Sequence, residues 1–171
     1  MKRIAMCLLA GSALLSQGAF AQNAYLGAAI GSTSYSEDGF DETDDGFKLN
    51  AGIRINENFA IEGNYIDFGR PEGPFYGIDS SVRVDGFGIS ALGIMPISDQ
   101  FELFGKVGLF GWNADIKVGP FSSTDDGTDV IYGFGAAYRF NDQFSLRAEW
   151  EFVDLEGGDL DMLSIGAQLD F

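Results

Sequence analysis

The chain has 171 residues, 46% of them hydrophobic, with a formal net charge of −16, 24 glycines, a single cysteine and no histidine. So acidic a chain is unsuited to a phosphate backbone, which excludes nucleic acid as a partner. Without histidine, and with one cysteine, neither the common acid–base catalytic sets nor an intrachain disulfide framework is expected, so no enzyme, cofactor or metal site is read here.

The first residues read as an export signal. Lys2 and Arg3 precede a short apolar run over 4–15, and Ala19-Phe20-Ala21 is a small-x-small cleavage site. The run is too short for the ~20 residues of a membrane helix. Cys7 lies inside it, which argues against a lipoprotein anchor. The reading is therefore a signal over 1–21 and one domain over 22–171, whose net charge becomes −18 once Lys2 and Arg3 are lost.

Strands follow in chain order over 24–35, 46–55, 59–68, 81–95, 101–117, 128–140, 144–154 and 160–171. The alternation is clearest from Phe144 to Phe152, where Phe144, Leu146, Ala148, Trp150 and Phe152 oppose Ser145, Arg147, Glu149 and Glu151. It recurs in 47–55 and in 163–171. Gly86 and Gly88 mark a bulge or a close backbone approach in the fourth strand. In the fifth, Phe104, Phe110 and Trp112 sit on the polar parity, against the pattern.

One short phrase recurs three times, as Asn56-Glu57-Asn58-Phe59, Ser98-Asp99-Gln100-Phe101 and Asn141-Asp142-Gln143-Phe144, with the phenylalanines 42 and 43 residues apart. Each is a polar turn followed at once by a strand start. These three tight turns alternate with longer stretches, 36–45, 69–80, 118–127 and 155–159, rich in Gly, Asp, Ser and Pro. Short turns at one end and longer loops at the other define an all-β, eight-stranded, antiparallel up-and-down transmembrane β-barrel.

Alternation alone does not say which face is outside. A soluble lipocalin-like carrier would turn the aliphatic face inward; a membrane barrel turns it toward lipid. Three features favour lipid. Phe171 ends an alternating strand, as an insertion signal would. Aromatics gather at strand ends, with Phe59, Phe101 and Phe144 near the short turns and Tyr65, Trp150 and Phe152 toward the longer loops, as two interfacial girdles would. The polar faces balance bases (Lys48, Arg54, Lys106, Arg139, Arg147) against acids (Glu62, Glu102, Glu149, Glu151, Asp170), as a narrow interior requires. The interior ion-pair candidates are Glu62, Arg147, Lys106, Glu149, Arg54 and Glu102. The remaining acids, such as Glu37, Asp38, Asp41, Glu42, Asp44, Asp45, Asp125 and Asp126, read as solvated loop charges without an ordered calcium-loop spacing.

The stretch Met95-Pro96-Ile97-Ser98-Asp99-Gln100-Phe101-Glu102-Leu103, continuing to Gly111-Trp112-Asn113-Ala114-Asp115, resembles the fourth-to-fifth strand region of OmpA-type outer-membrane proteins. Leu146-Arg147-Ala148-Glu149-Trp150-Glu151 and Met162-Leu163-Ser164-Ile165-Gly166 are similar to that family's last two strands. The likeness is strong over 95–115 and 131–171 and weak before 46. It implies eight strands around a polar interior. In some members two acids and two bases form a salt-bridge switch. Glu62 and Arg147 match one of each, Lys106 matches a further interior base, and Ala91 and Ala137 stand at the other two positions. The resemblance thus implies a fixed Glu62–Arg147 bridge rather than an alternating gate. Full-length members also carry a peptidoglycan-gripping domain, which is not expected here because the sequence ends with the last strand.

The function expected is a small, mainly structural barrel of the cell outer membrane, reached after export through the periplasm, with at most narrow passage for ions or small solutes. Its partners would be outer-membrane lipid and the barrel insertion machinery, and it would be a monomer. The alternatives are a surface-interaction barrel, an adhesin or receptor contacting through Phe40, Phe75, Tyr76 and Phe121 in the outer loops, and the soluble carrier.

Overall fold

A computed structural model describes residues 23–37, 40–69, 72–75, 78–118, 121–155 and 158–171. The expected export signal and Tyr76 lie outside the described residues. The strands are β1 (Ala24–Glu37), β2 (Phe40–Asn56), β3 (Phe59–Asp67), β4 (Glu72–Phe75), β5 (Ile78–Pro96), β6 (Phe101–Val118), β7 (Phe121–Asn141), β8 (Phe144–Leu155) and β9 (Gly158–Asp170). Each pairs antiparallel with its neighbour in the order β3-β2-β1-β9-β8-β7-β6-β5-β4, and pairing of β3 with β5 closes the sheet into a barrel. β3 and β4 both pair with β5 on the same side, so they act as one stave interrupted at Gly69. Gly69 has φ +85°, a left-handed conformation that a side chain disfavours, and its N–H bonds Asp67 Oδ1 at 3.0 Å. The barrel therefore has eight staves.

The repeated phrase is explained at its first residue. Asn56 Oδ1 accepts the Asn58 N–H at 2.8 Å, and Asn141 Oδ1 accepts those of Gln143 and Phe144 at 2.9 Å. Ser98 Oγ accepts the Phe101 N–H at 3.1 Å. A short polar side chain thus satisfies turn amides that no strand can reach. The two Asn turns also share a register shift just before them, between Arg54 and Asn56 and between Arg139 and Asn141.

The aliphatic face points outward. Ile30, Leu49, Ile61, Ile89, Val107, Leu109, Phe134 and Ile165 are exposed on the exterior. An alternating run such as Phe101, Leu103, Gly105, Val107 and Leu109 climbs roughly 20 Å at ~3.4 Å per residue and ~40° tilt, close to the apolar band of a membrane barrel. This is the reverse of a carrier barrel and overturns the soluble alternative.

The longer loops expected at the other end are corrected. The strands continue through most of 36–45, 69–80, 118–127 and 155–159, and β7 begins at Phe121 rather than 128. Phe40, Phe75 and Phe121 lie at strand ends, where Glu37 pairs with Phe40, Phe75 with Ile78 and Val118 with Phe121. They flank hairpin tips and are not loop residues. Asp41, Asp44, Asp45, Asp125 and Asp126 likewise stand on strands. The reason is physical. Above the apolar band both faces meet water, so the period-two hydrophobic signal vanishes. The backbone ladder nevertheless continues, helped by β-compatible residues such as Thr33, Thr43, Thr124 and Thr128.

Candidate functional site

The interior is layered along the barrel axis. At the short-turn end, Arg54 Nη2 bonds Glu102 Oε1 at 2.7 Å, Arg139 Nη2 reaches Glu102 at 3.5 Å, and Asp170 stands 3.9 Å from Arg54 Nε. Arg54, Glu102 and Arg139 border a vestibule of about 480 Å³, lined also by Asn23, Asp99 and Ser145. Next comes an apolar layer of Tyr25, Ala60, Leu92, Ile94 and Phe104.

Above it lies a belt of six charged side chains, Lys48, Lys106, Arg147, Glu62, Glu149 and Glu151, none more than 8% exposed. Three bases meet three acids, so the belt is neutral. Arg147 Nη1 donates to Glu62 Oε2 at 2.6 Å, and Arg147 Nη2 lies 2.9 Å from Glu149 Oε2. Lys48 Nζ contacts both Glu149 and Glu151 at 2.5 Å. Lys106 lies 3.0 Å from Glu149, bonds Glu151, and stands 3.9 Å from Glu62. Neutral donors finish the job: Glu62 also accepts from the Tyr25 hydroxyl at 2.9 Å and Asn50 Nδ2 at 3.2 Å. Each carboxylate needs such partners, because a buried charge left single costs several kcal/mol.

The belt is capped on the far side by a second apolar layer: Ile66, Phe68, Val84, Phe110, Ala114, Ile131, Val153, Leu160 and Met162. Phe68 and Phe110 meet edge to face with centroids 5.8 Å apart. The rim beyond it carries an Arg83–Asp67 pair and a bond from Trp112 Nε1 to Asp129 at 2.5 Å.

The three aromatics that break the parity rule of the fifth expected strand are interior fillers. Each lies against a glycine on a neighbouring strand: Phe104 against Gly135, Phe110 against Gly86, Trp112 against Gly127. A methyl at Gly86 would come within 2.8 Å of the Phe110 ring, and one at Gly127 within 2.7 Å of the Trp112 ring. Gly86 therefore marks close approach, and β5 keeps unbroken register with β6 through it. Tyr25 lies over Gly52 in the same way. Phe104 also carries the Arg147 guanidinium over its ring at 4.2 Å.

The structure brings together Glu62, Arg147, Lys106 and Glu149 in the belt and Arg54 with Glu102 at the vestibule. The two groups lie on either side of the lower apolar layer and are linked past it by Gln168, whose Oε1 accepts from Arg147 at 3.5 Å and whose Nε2 donates to Asp170 at 3.0 Å. Pairing by sequence left out Lys48, Glu151, Tyr25 and Asn50 as members of the belt. The first two were legible as polar-face charges, but their height in the barrel follows only from the stagger of the closed sheet. Of the aromatics, Phe59, Phe101, Phe144 and Trp150 are exposed on the exterior. Tyr65 and Phe152 are half-buried beside Phe87 at 4.9 Å and Tyr132 at 5.3 Å. Phe171 is exposed at the end of β9, where its N–H bonds the Ala24 carbonyl at 2.9 Å.

Known proteins carry the same architecture. The model of the outer membrane protein beta-barrel domain matches residues 6–171. Outer membrane protein A of Shigella flexneri is 27% identical over 188 residues, covering 99% of this chain and 53% of that protein. The chain spans about half the length of the relatives it matches. Two solved barrels share the fold at low identity. The attachment invasion locus protein Ail of Yersinia pestis has TM-score 0.66 and 19% identity, over 88% of this chain and 99% of that one. Neisserial surface protein A has TM-score 0.69 and 17% identity, over 86% and 97%. With its outward apolar band, balanced interior charges and eight staves, the chain belongs to the outer membrane protein β-barrel family and is a protein of the cell outer membrane.

Proposed function

We propose that the chain is a sealed structural barrel of the outer membrane, without catalytic chemistry and without a conducting path. The observation that carries this reading is the upper apolar layer, in which Ile66, Phe110, Ile131 and Met162 are fully buried directly above the charge belt. An ion leaving the belt would have to shed its water to pass the hydrocarbon side chains of this layer. The voids beside Arg147 are about 10 Å³ each, no more than one water-sized space. The Glu62–Arg147 bridge serves as a fixed strut. Arg147 is held by Glu62 at 2.6 Å and by Glu149 at 2.9 Å at the same time, so the guanidinium is braced from two sides.

In this reading the short turns face the periplasm, and the extended hairpins face outward. Phe59, Phe101, Phe144, Tyr65, Trp150 and Phe152 sit at the lipid interfaces, supported by their exterior positions near the two ends of the apolar band. Phe171, aromatic and outward at the end of the last strand, is read by the insertion machinery. The barrel works as a monomer. The experiment is single-channel recording after reconstitution of the refolded barrel in planar bilayers. A flat baseline is expected; reproducible unit steps from the purified barrel would overturn the sealed reading.

A further inference from the structure

The extended hairpins leave one long backbone edge open. β7 pairs with β6 without a register shift from Val118↔Phe121 to Phe101↔Tyr138. On its other side pairing with β8 starts only at Ile131↔Val153, and β8 turns back into β9 at Leu155↔Gly158. Among the described residues, no strand pairs with Phe121–Val130 on that side. Ser123, Thr124, Asp125 and Asp126 are exposed in succession, so this part of the sheet stands in water on both faces. Alternate residues of such an edge present N–H and C=O groups outward, a template for a further strand.

Unused edges are usually guarded by charged side chains, lysine above all, by proline or by a bulge; over 121–130 the charges are all acidic, so they guard against acidic strands and not basic ones. Residues 121–130 contain no lysine, arginine or proline, and the ladder to β6 is regular. The comparable edge of β2 near Gly46 is different, because the Asp67–Gly69 segment lies against it: a methyl at Gly46 would come within 2.8 Å of the Asp67 carbonyl oxygen. The charge on the β7 edge is one-sided. Over 112–130 four aspartates, Asp115, Asp125, Asp126 and Asp129, outnumber the single base, Lys117. Asp129 is held by Trp112 and Asp115 takes the Thr124 hydroxyl, so Asp125 and Asp126 remain as exposed anions on the edge strand itself.

We propose that the Phe121–Val130 edge of β7 binds an extended, lysine- or arginine-bearing polypeptide segment as an added strand. Main-chain hydrogen bonds supply the affinity, and the aspartates select a basic partner. The same charge disfavours a second copy, since two acidic edges would lie side by side.

The test uses the whole barrel in nanodiscs and three eight-residue probes: an alternating Lys–Thr peptide, its Glu–Thr counterpart, and the Lys–Thr peptide N-methylated at every residue. The Lys–Thr peptide should slow amide hydrogen exchange within 121–130, and the N-methylated form should lose at least tenfold in affinity. The double variant Asp125→Lys/Asp126→Lys should bind the Lys–Thr peptide roughly tenfold more weakly and gain binding of the Glu–Thr peptide. Asp125→Asn/Asp126→Asn is the milder variant should the reversal impair folding, and it should fall between. The proposal fails if 121–130 gain no protection, if the N-methylated peptide binds equally well, if the charge variants bind like wild type, or if the edge is instead protected by dimerisation.

Discussion

Glu62→Ala tests the belt directly. Wild-type Glu62 is fully buried and accepts from Arg147 at 2.6 and 3.3 Å, Tyr25 at 2.9 Å and Asn50 at 3.2 Å. Removing it leaves three bases against two acids in a closed interior. Breaking a buried pair from one side typically costs ~3–5 kcal/mol. Arg147 keeps Glu149 at 2.9 Å and the Phe104 ring, which places the loss at the low end, about 3 kcal/mol. Glu62→Gln keeps the volume and an acceptor but not the charge, and should lose about 2 kcal/mol, separating charge from packing. Removing both partners, Glu62→Ala/Arg147→Ala, should cost less than the sum of the single losses by ~1 kcal/mol or more. Arg83→Ala is the contrast: that guanidinium is 41% exposed, and its loss should cost under ~1 kcal/mol. The assay is urea unfolding in lipid vesicles, followed by tryptophan fluorescence and by the difference in gel position between heated and unheated samples. A Glu62→Ala barrel as stable as Arg83→Ala, or strictly additive losses in the double variant, would refute the reasoning.

Three further outcomes follow from the packing and the turns. Gly135→Leu would drive a side chain into the Phe104 ring, and should destabilise the barrel by about 1–3 kcal/mol in the same unfolding assay. Asn56→Ala and Asn141→Ala each remove a turn acceptor and should cost about 1 kcal/mol, with the pair additive because the two turns are separate. Val107→Arg, on the exposed apolar band, should cost about 2–3 kcal/mol in bilayers, whereas Asp126→Arg on the projecting strand should be near neutral.

The sequence made the membrane-spanning half of the fold readable because there the two sides of each strand meet different media. Leu146 against Arg147, or Leu49 against Lys48, records that difference residue by residue. Beyond the apolar band both sides meet water, the contrast disappears, and the hairpin extensions of β1–β2 and β5–β7 look like loops. The interior was half legible. Parity identified Glu62, Arg147, Lys106 and Glu149 as inward, but it carries no information on depth. It did not separate the Arg54–Glu102 pair from the belt, nor join Lys48 to Glu149 across 101 residues of chain. Phe104, Phe110 and Trp112 resisted the pattern for a related reason. Each of these three faces inward beside a glycine of the adjacent stave, and that adjacency belongs to the closed sheet.

The balance of the belt has a consequence for how the protein is made. Lys48 on β2 and Glu62 on β3 cancel within one hairpin, but β8 carries Arg147, Glu149 and Glu151, and the compensating Lys106 comes from β6. A half-inserted sheet holding β8 without β6 would expose an uncancelled carboxylate where only hydrocarbon is available. The count balances once β6 and β8 are both in the sheet, but the pairs of Lys48 with Glu149 and Glu151 join β2 to β8 and form only when the cylinder brings those strands together. The ion pairs of the belt are thus completed by closure, and a sheet that lacks β6 is one base short of neutrality.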